Sequence, residues 1–257
     1  MTPVWSRTYF DTLLERFATV VDGLDRRLDD VVAGRVAPAV DDIEIGSGRS
    51  VRAGVMFFDL VGFSSRTSSS DVDDLKQTLY MLDCVIPTMM GIVFDYGGYV
   101  EKNTGDGVLA IFGVAEADES IARTTLEVGM SWLYALEHIV NPWLAARGLE
   151  AVEARVTIDL GTLLLARIGM PKGRANHDRS FLTAVGPPAN LASKLQDYAG
   201  AGQIYTGHLI QRNAPAAWQG WFFDRTPHDW IWIWIGGPTA GQSYRAWEYT
   251  GRWNPPG

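Results

Sequence analysis

Two aspartates stand at positions where a carboxylate can do chemistry. Asp59 lies near the end of the apolar run VRAGVMFFDL, three residues before Gly62, and Asp106 lies in the turn TGDG between two further apolar runs. A carboxylate at the end of a strand and another at the tip of a hairpin can share one or two divalent cations, which prefer oxygen ligands. Because an Asp beside a Gly is also an ordinary turn residue, Asp106 taken alone favours the turn interpretation.

Two further groups of residues suit a phosphorylated or polar ligand. Gly62, Phe63 and Ser64 precede a predicted helix, whose first N–H groups are free to bind phosphate oxygens. Asn190 and Lys194 are four residues apart in another predicted helix and therefore share one helix face. A Lys four residues after an Asn is equally typical of a solvated helix face, so the spacing alone leaves its role open.

A mixed series of strands and helices must position these residues. The run 51–60 predicts a buried strand with Ser70 or Asp71 as the N-cap of the helix after it, and YVEKNTGDGVLAIFG predicts a hairpin. The later predicted elements are a helix at 117–147, strands at 154–160, 162–168 and 181–185, a helix at 187–199, and strands in QIYTG, WIWIWI and SYRAWEYTG. This order predicts an α+β fold with a central, mostly antiparallel sheet flanked by helices. A Rossmann domain is not expected, because the sequence lacks a GxGxxG turn and strict strand–helix alternation.

The composition narrows the classes of function. The 257 residues include 30 acidic and 22 basic side chains, a formal charge of −8, which disfavours a nonspecific nucleic-acid binder. The single cysteine, Cys84, excludes an intramolecular disulfide and predicts a reducing, cytoplasmic compartment. The longest apolar run, WIWIWIGG, is shorter than the roughly 20 residues of a membrane span, and the N-terminal residues do not resemble a signal peptide. We therefore expect neither a nucleic-acid partner nor a membrane partner.

Five sequence blocks, in one order, resemble the class III nucleotidyl cyclase domain. They are FFDLVGFS, GGYVEKNTGDGVLAIFG, RVTIDLGTLLLARIG, TAVGPPANLASKL and GQIYTG. The resemblance covers residues 51 to about 210 closely and the final strands more loosely. It implies that 51–257 form the catalytic domain, with a strand-rich C-terminal end. Before it, apolar residues at helical spacing predict an N-terminal helix at 9–31, and Pro, Gly and Asp residues predict a connector, so that 1–50 hold a helix and a connector. The resemblance also implies a head-to-tail homodimer with two active sites at its interface.

The resemblance implies a role for each candidate residue. Asp59 and Asp106 match the two aspartates that bind two Mg²⁺ or Mn²⁺ ions in this family. Lys102 and Thr183 match the two positions that read the base. Asn190 matches the asparagine that orients the ribose, and Lys194 stands where the family has an arginine that stabilises the transition state. The family's late phosphate-binding lysine has no clear counterpart, and Arg66, Arg225 and Arg245 are the alternatives for that charge. The implied reaction converts a nucleoside triphosphate to a 3′,5′-cyclic nucleotide and pyrophosphate.

The hydrogen-bonding groups at the base-reading positions narrow the choice of base. Lys102 only donates, whereas Thr183 donates or accepts, so the pair fits adenine and uracil equally well and disfavours guanine. The compact chain is similar to the stand-alone pyrimidine cyclases of the bacterial Pycsar antiphage systems, which favours UTP, and cUMP as the product, with ATP next. A second alternative is a cyclase-like module that binds a nucleotide with little or no turnover. A phage-derived trigger cannot be identified from the sequence.

Overall fold

The computed structural model describes residues 32–33, 43–114, 116–170, 179–235 and 239–254. The chain divides into two compact units, the first made of Met1–Val51 and Leu164–Ala184 and the second of Arg52–Leu163 and Val185–Gly257. The predicted helix 9–31 lies outside the described residues, and so does most of the predicted connector. The end of that connector belongs to a strand, because β2 already begins at Gly48.

The elements agree in type with most of the predicted ones. The strands are β1 (Val32–Ala33), β2 (Gly48–Leu60), β3 (Tyr99–Asn103), β4 (Gly107–Phe112), β5 (Ala154–Met170), β6 (Arg179–Val185), β7 (Ile204–Gly207), β8 (Phe222–Asp224) and β9 (Ala246–Tyr249). The helices are α1 (Phe63–Arg66), α2 (Val72–Asp95), α3 (Asp118–Ala135), α4 (Asn141–Ala145), α5 (Pro187–Leu195) and α6 (His208–Asn213). A π-helical turn, Leu136–Val140, joins α3 to α4, and a 3-10 turn, Ala216–Trp221, precedes β8.

The predicted mostly antiparallel sheet is confirmed. In the second unit the strand order is β3-β4-β2-β5-β7-β9-β8. The pairs β2–β4, β3–β4, β7–β9 and β8–β9 are antiparallel, whereas β5–β7 is parallel. In the first unit β1 runs parallel to β2, and β6 pairs with β5.

Alternate residues of the central strands form the main core of the second unit. Met56, Phe58 and Leu60 of β2 are buried together with alternate residues of β5 against α2 and α3. The indole of Trp132 in α3 donates a hydrogen bond of 3.0 Å to the carbonyl oxygen of Met89 in α2, which ties the two helices together. Because successive side chains of a strand point to opposite faces, the intervening residues of β2 and β5 lie on the other face of the sheet. Those intervening residues include Asp59.

Helix α2 is the one helix among the described residues that is long and apolar enough to cross a membrane. Its most apolar stretch has a mean hydropathy of 1.4, and 28% of that stretch is buried. The expectation based on WIWIWIGG overlooked it, because Lys76 and Asp83 interrupt its apolar residues. The helix is amphipathic: Met81, Val85, Ile86, Met89 and Val93 are buried in the core.

One predicted boundary between strands is wrong, and so is one predicted strand. The stretches 154–160 and 162–168 are a single strand, β5, because Gly161 continues the extended backbone between them. The predicted strand WIWIWI is not a regular strand, since its pairing is one isolated bridge between Ile233 and Ser243. Its alternation still decides burial: the tryptophans at 230, 232 and 234 are partly buried, whereas Ile231, Ile233 and Ile235 are exposed.

Candidate active site

The β2–β4 pairing brings the two predicted metal ligands together. Asp59 pairs with Gly107 in the antiparallel register, so it lies beside the residue that follows Asp106. The N–H of Leu60 donates a hydrogen bond of 3.1 Å to the carbonyl oxygen of Asp106. Gly107 permits this approach, since a Cβ there would overlap the carbonyl oxygen of Phe58. The predicted hairpin is thus confirmed, and its tip adjoins the end of β2.

Arg155 is a member of this site that the sequence analysis did not identify. Its Nε donates a hydrogen bond of 2.8 Å to Oδ2 of Asp59, its Nη2 forms an ion pair of 2.6 Å with the same oxygen, and the side chain of Asp59 is 14% exposed. The guanidinium is therefore centred on one carboxylate oxygen. The signal that was available is a single arginine at the start of the otherwise apolar run RVTI, which a buried strand tolerates only when the charge has a partner.

The electrostatics of the site favour a divalent cation. Burial raises the pKa of Asp106 above its ordinary value, and the negative charge of Asp59 raises that pKa further, whereas Arg155 opposes both. Within the described residues the guanidinium of Arg155 is bonded to Asp59 alone, so the charge of the Asp106 carboxylate is left for a cation to neutralise. In the part of the chain that the structure describes there is no group of three His, Cys, Asp or Glu residues suited to a metal. Mg²⁺ is commonly held by one or two carboxylates together with substrate phosphates, so Asp59 and Asp106 fit such an ion.

The segment after β2 turns sharply before a very short helix. Gly62 has a φ of 73° and precedes the four-residue α1, and the hydroxyl of Ser65 donates a hydrogen bond of 2.6 Å to the carbonyl oxygen of Gly62. Phe63 packs against the core, whereas Ser64 is exposed. The next helix starts separately with Asp71 as its N-cap, as one of the two predicted alternatives had it. Phosphate binding by Gly62, Phe63 and Ser64 stays a prediction.

The predicted base-reading residues lie on two different strands. Lys102 is on β3, its side chain is 48% exposed, and its ammonium lies 3.4 Å from a carboxylate oxygen of Glu101. The register of β3 shifts between Val100 and Lys102, where Glu101 is the intervening residue. Thr183 is partly buried on β6 and belongs to the first unit.

Helix α5 carries the other two candidates on one face, as predicted. Asn190 and Lys194 are both exposed, whereas Leu191 and Leu195 are buried. The ammonium of Lys194 lies 3.4 Å from a carboxylate oxygen of Asp197. Within the described residues, no hydrogen bond or ion pair joins Lys102, Asn190 or Lys194 to either aspartate of the candidate metal site.

The three arginines considered for the triphosphate tail are already paired. Arg66 donates a hydrogen bond of 2.8 Å to the carbonyl oxygen of Ala151. Arg225 and Arg245 form ion pairs of 2.9 and 3.0 Å with Glu248 and Asp224, respectively. None of the three is thereby distinguished as the missing phosphate-binding cation.

Comparisons with known proteins agree with the predicted family. The family model described as "Adenylate and Guanylate cyclase catalytic domain" matches residues 46–212, more than half of the chain. An adenylate cyclase of Anabaena cylindrica is 22% identical over 180 residues, which cover 68% of this chain and 33% of that relative. A uridylate cyclase of Burkholderia cepacia is 27% identical over 185 residues, which cover 69% of this chain and 74% of the relative.

Solved structures show the same fold. The guanylyl cyclase Cya2 has a TM-score of 0.64 at 21% identity, with 81% of this chain and 96% of that chain covered. A class III adenylyl cyclase-like ATP-binding protein from Pseudomonas aeruginosa has a TM-score of 0.63 at 16% identity, with 83% of this chain and 44% of that chain covered. The chain thus spans about a third of the Anabaena relative and less than half of the Pseudomonas protein.

Proposed function

Because the chain belongs to the adenylate and guanylate cyclase catalytic domain family, we propose that it converts a nucleoside triphosphate to a 3′,5′-cyclic nucleotide and pyrophosphate. Asp59 and Asp106 are the residues that would hold two Mg²⁺ or Mn²⁺ ions. When bound, such ions supply charge neutralisation to the triphosphate and lower the pKa of the attacking ribose hydroxyl. We assign this activity to residues 51–257.

The observation that carries the proposal is the joint placement of Asp59, Asp106 and Arg155. The register sets the two aspartates side by side at the end of β2. The guanidinium of Arg155 holds Oδ2 of Asp59 and so fixes the orientation of its carboxylate. Among the described residues Oδ1 of Asp59 accepts no hydrogen bond, which leaves this oxygen available to a cation. Arg155 is thus a positioning residue in the proposed site.

We further propose that two copies of the chain complete two sites. Lys102, Asn190 and Lys194 are solvent-exposed and are not bonded to the metal-binding aspartates of their own chain. This is the arrangement expected if one protomer supplies the metal ligands and its head-to-tail partner supplies the base, ribose and transition-state groups. We also assign the second base-reading position to Thr183. Phosphate binding is assigned to Gly62, Phe63 and Ser64.

UTP is the proposed substrate, and cUMP the proposed antiphage signal in the cytoplasm. A donor-only Lys102 and a Thr183 hydroxyl that donates or accepts would together fit O4 and N3–H of uracil, and the Burkholderia relative, of which 74% is covered, is a uridylate cyclase. The same two side chains fit adenine, and the Anabaena relative is an adenylate cyclase. ATP is therefore the second candidate substrate.

Product chromatography tests the proposed reaction and its substrate. The purified chain is incubated separately with ATP, GTP, CTP and UTP in the presence of Mn²⁺, and we expect cUMP to accumulate faster than any other cyclic nucleotide. Asp106→Asn should abolish the product, whereas Asp95→Asn, an exposed carboxylate in α2, serves as the matched control. Production of cAMP alone would reject UTP, and an undiminished rate for Asp106→Asn would reject the proposed site.

Two observations favour the alternative, a module that binds a nucleotide with little or no turnover. Lys194 replaces the family's arginine, and a lysine offers a point charge where arginine offers two parallel hydrogen bonds. The similar Pseudomonas structure is described as a cyclase-like ATP-binding protein. Calorimetric binding of UTP or ATP without any cyclic product would support this alternative, and Lys194→Arg would then be expected to introduce turnover.

A further inference from the structure

A cavity of about 330 Å³ lies in the second unit, between α5 and the tryptophan segment, which we define as residues 230–235. Its walls are mostly apolar and include Pro188 and Leu191 of α5, Leu209 of α6, and Trp232 and Trp234. A volume of this size suits a small organic ligand. None of the residues assigned to the candidate active site lines it.

The polar end of the cavity is a buried carboxyl group whose position is fixed by its neighbours. Asp159 of β5 is 2% exposed, and the hydroxyl of Tyr244 donates a hydrogen bond of 2.6 Å to its Oδ1. That hydroxyl in turn accepts a hydrogen bond of 3.2 Å from the N–H of Leu209. Gly207 makes room for the carboxyl group, because a Cβ at this position would overlap Oδ1. The surrounding backbone and the tyrosine therefore fix this acid at the cavity.

Among the described residues, no cationic side chain contacts the carboxylate of Asp159. Burial raises the pKa of Asp159 to about 8, although hydrogen bonds from Tyr244 and from the N–H of Leu160, and the more distant charge of Arg52, act in the opposite direction. The guanidinium of Arg52 also lines the cavity, but both its Nε and its Nη2 are bonded to the carboxylate of Asp118. Its charge is thus balanced by another residue. A buried acid of this kind is complemented by a proton or by a cationic ligand.

We propose that this cavity binds a small organic amine, whose ammonium group pairs with Asp159 and whose apolar body lies against Trp232 and Trp234. A charge-assisted hydrogen bond to a desolvated carboxylate is stronger than a neutral one, and aromatic rings attract cations. Apolar walls around one acidic group therefore select a ligand that is apolar at one end and cationic at the other. Leu191 brings the occupant against the inner face of α5, whose outer face holds Asn190 and Lys194.

Three ligands of matched shape test the charge requirement. Wild-type protein is titrated at pH 7.5 with 2-phenylethylamine, 2-phenylethanol and 3-phenylpropionate, and binding is followed by tryptophan fluorescence and by calorimetry. We expect the amine to bind at least about tenfold more tightly than the alcohol, because the alcohol makes only a neutral hydrogen bond. The acid should not bind. Binding of the alcohol as tight as that of the amine, or no binding of the amine, would overturn the proposal.

Two variants separate a binding role from a structural one. Asp159→Asn keeps the shape of the side chain and should weaken amine binding about tenfold while leaving alcohol binding unaffected.

Thr162→Trp adds a ring at an exposed position that lines the cavity, so it should block both ligands without disturbing the buried acid. Thr250→Trp, at an exposed position outside the cavity, is the matched control. Amine binding unchanged in Thr162→Trp would place the ligand elsewhere, and that result would refute the proposed site whether or not Asp159→Asn folds. Since binding alone is measured, the result does not depend on the proposed cyclase reaction.

Discussion

Two aspartates of the central strands, Asp59 on β2 and Asp159 on β5, are accommodated in opposite ways. Asp59 is partly exposed and held by the guanidinium of Arg155, whereas Asp159 is buried and held by the hydroxyl of Tyr244. Arg155 and Asp159 are four residues apart on β5 and therefore lie on the same face of that strand. An acid beside a cation keeps a negative charge that a metal can use, whereas burial without such a cation favours the protonated acid. The same strand thus supports a proposed metal site and a proposed amine site.

The largest effect should come from removing the charge of Asp59. Asp59→Asn keeps the size of the side chain but removes a metal ligand and the partner of Arg155, so we expect turnover to fall by about a thousandfold or more. Initial rates of cyclic-nucleotide formation measure this loss, with Asp95→Asn as the control carboxylate. Wild-type turnover in Asp59→Asn would contradict the proposed role of Asp59 as a metal ligand.

A smaller loss is expected when Arg155 is replaced. Arg155→Ala removes the group that orients Asp59, and replacement of such outer partners typically costs about 10- to 100-fold in metal affinity or activity. Arg155→Lys should lie between wild type and Arg155→Ala, because lysine restores the charge but not the planar guanidinium, whose Nε and Nη2 both contact Asp59. The Mn²⁺ concentration that gives half-maximal rate distinguishes this role from general destabilisation. Identical Mn²⁺ dependence and rates in all three proteins would show that Arg155 does not position Asp59.

The contrasting environment of Asp159 predicts a dependence of stability on pH. Its pKa of about 8 in the folded chain lies above the ordinary value of 3.8, so the folded state binds more protons than the unfolded state between these values. The contribution of Asp159 to the free energy of unfolding therefore decreases as the pH rises from about 4 to about 8 and is constant above that range.

Asp159→Asn isolates this contribution. Between pH 5 and pH 8 the Tm of the wild type should fall by roughly 5 °C more than the Tm of the variant. Differential scanning calorimetry at unit pH intervals provides the measurement. Tyr244 and Arg52 face the same carboxyl group and are unchanged in the variant, so parallel Tm profiles would mean that Asp159 does not hold the additional proton.

The smallest effect is expected at Arg52, the distant cation of the Asp159 environment. Its ion pair with Asp118 is partly exposed, with side-chain exposures of 41% and 23%. Such pairs contribute at most about 1 kcal/mol, so Arg52→Met should reduce the free energy of unfolding by no more than that. Urea titration at pH 7 measures the change. A loss several times larger would indicate that Arg52, rather than Tyr244, balances the buried acid.

Local sequence patterns were sufficient to predict the hairpin that carries Asp106 and the strand that ends near Asp59. TGDG between apolar runs specifies a turn, and the apolar run VRAGVMFFDL predicts a strand with Asp59 near its end. The shared face of Asn190 and Lys194 likewise follows from helical spacing. These features depend on residues close together in the chain, where backbone geometry alone decides the neighbours.

Contacts between distant residues were not predictable in the same way. Arg155 and Asp59 are 96 positions apart, and their contact requires β5 to lie next to β2. The cavity requires β5, α5, α6 and the tryptophan segment to meet, and no local pattern encodes that meeting. The tryptophan segment also shows that alternation specifies burial more reliably than it specifies a paired strand, since hydrogen-bonded partners are a property of the neighbours.

The tryptophan segment also bears on how the protein behaves in concentrated solution. Ile231, Ile233 and Ile235 are 84, 55 and 94% exposed, and residues 230–235 contain no charged side chain. An extended, uncharged and apolar stretch is a template for self-association between copies. Replacing Ile231, which does not line the cavity, with lysine would place a gatekeeper charge at an exposed position and leave the tryptophans unchanged. The exposed side chain at position 231 therefore offers a way to change the colloidal stability of the protein without altering the lining of the cavity.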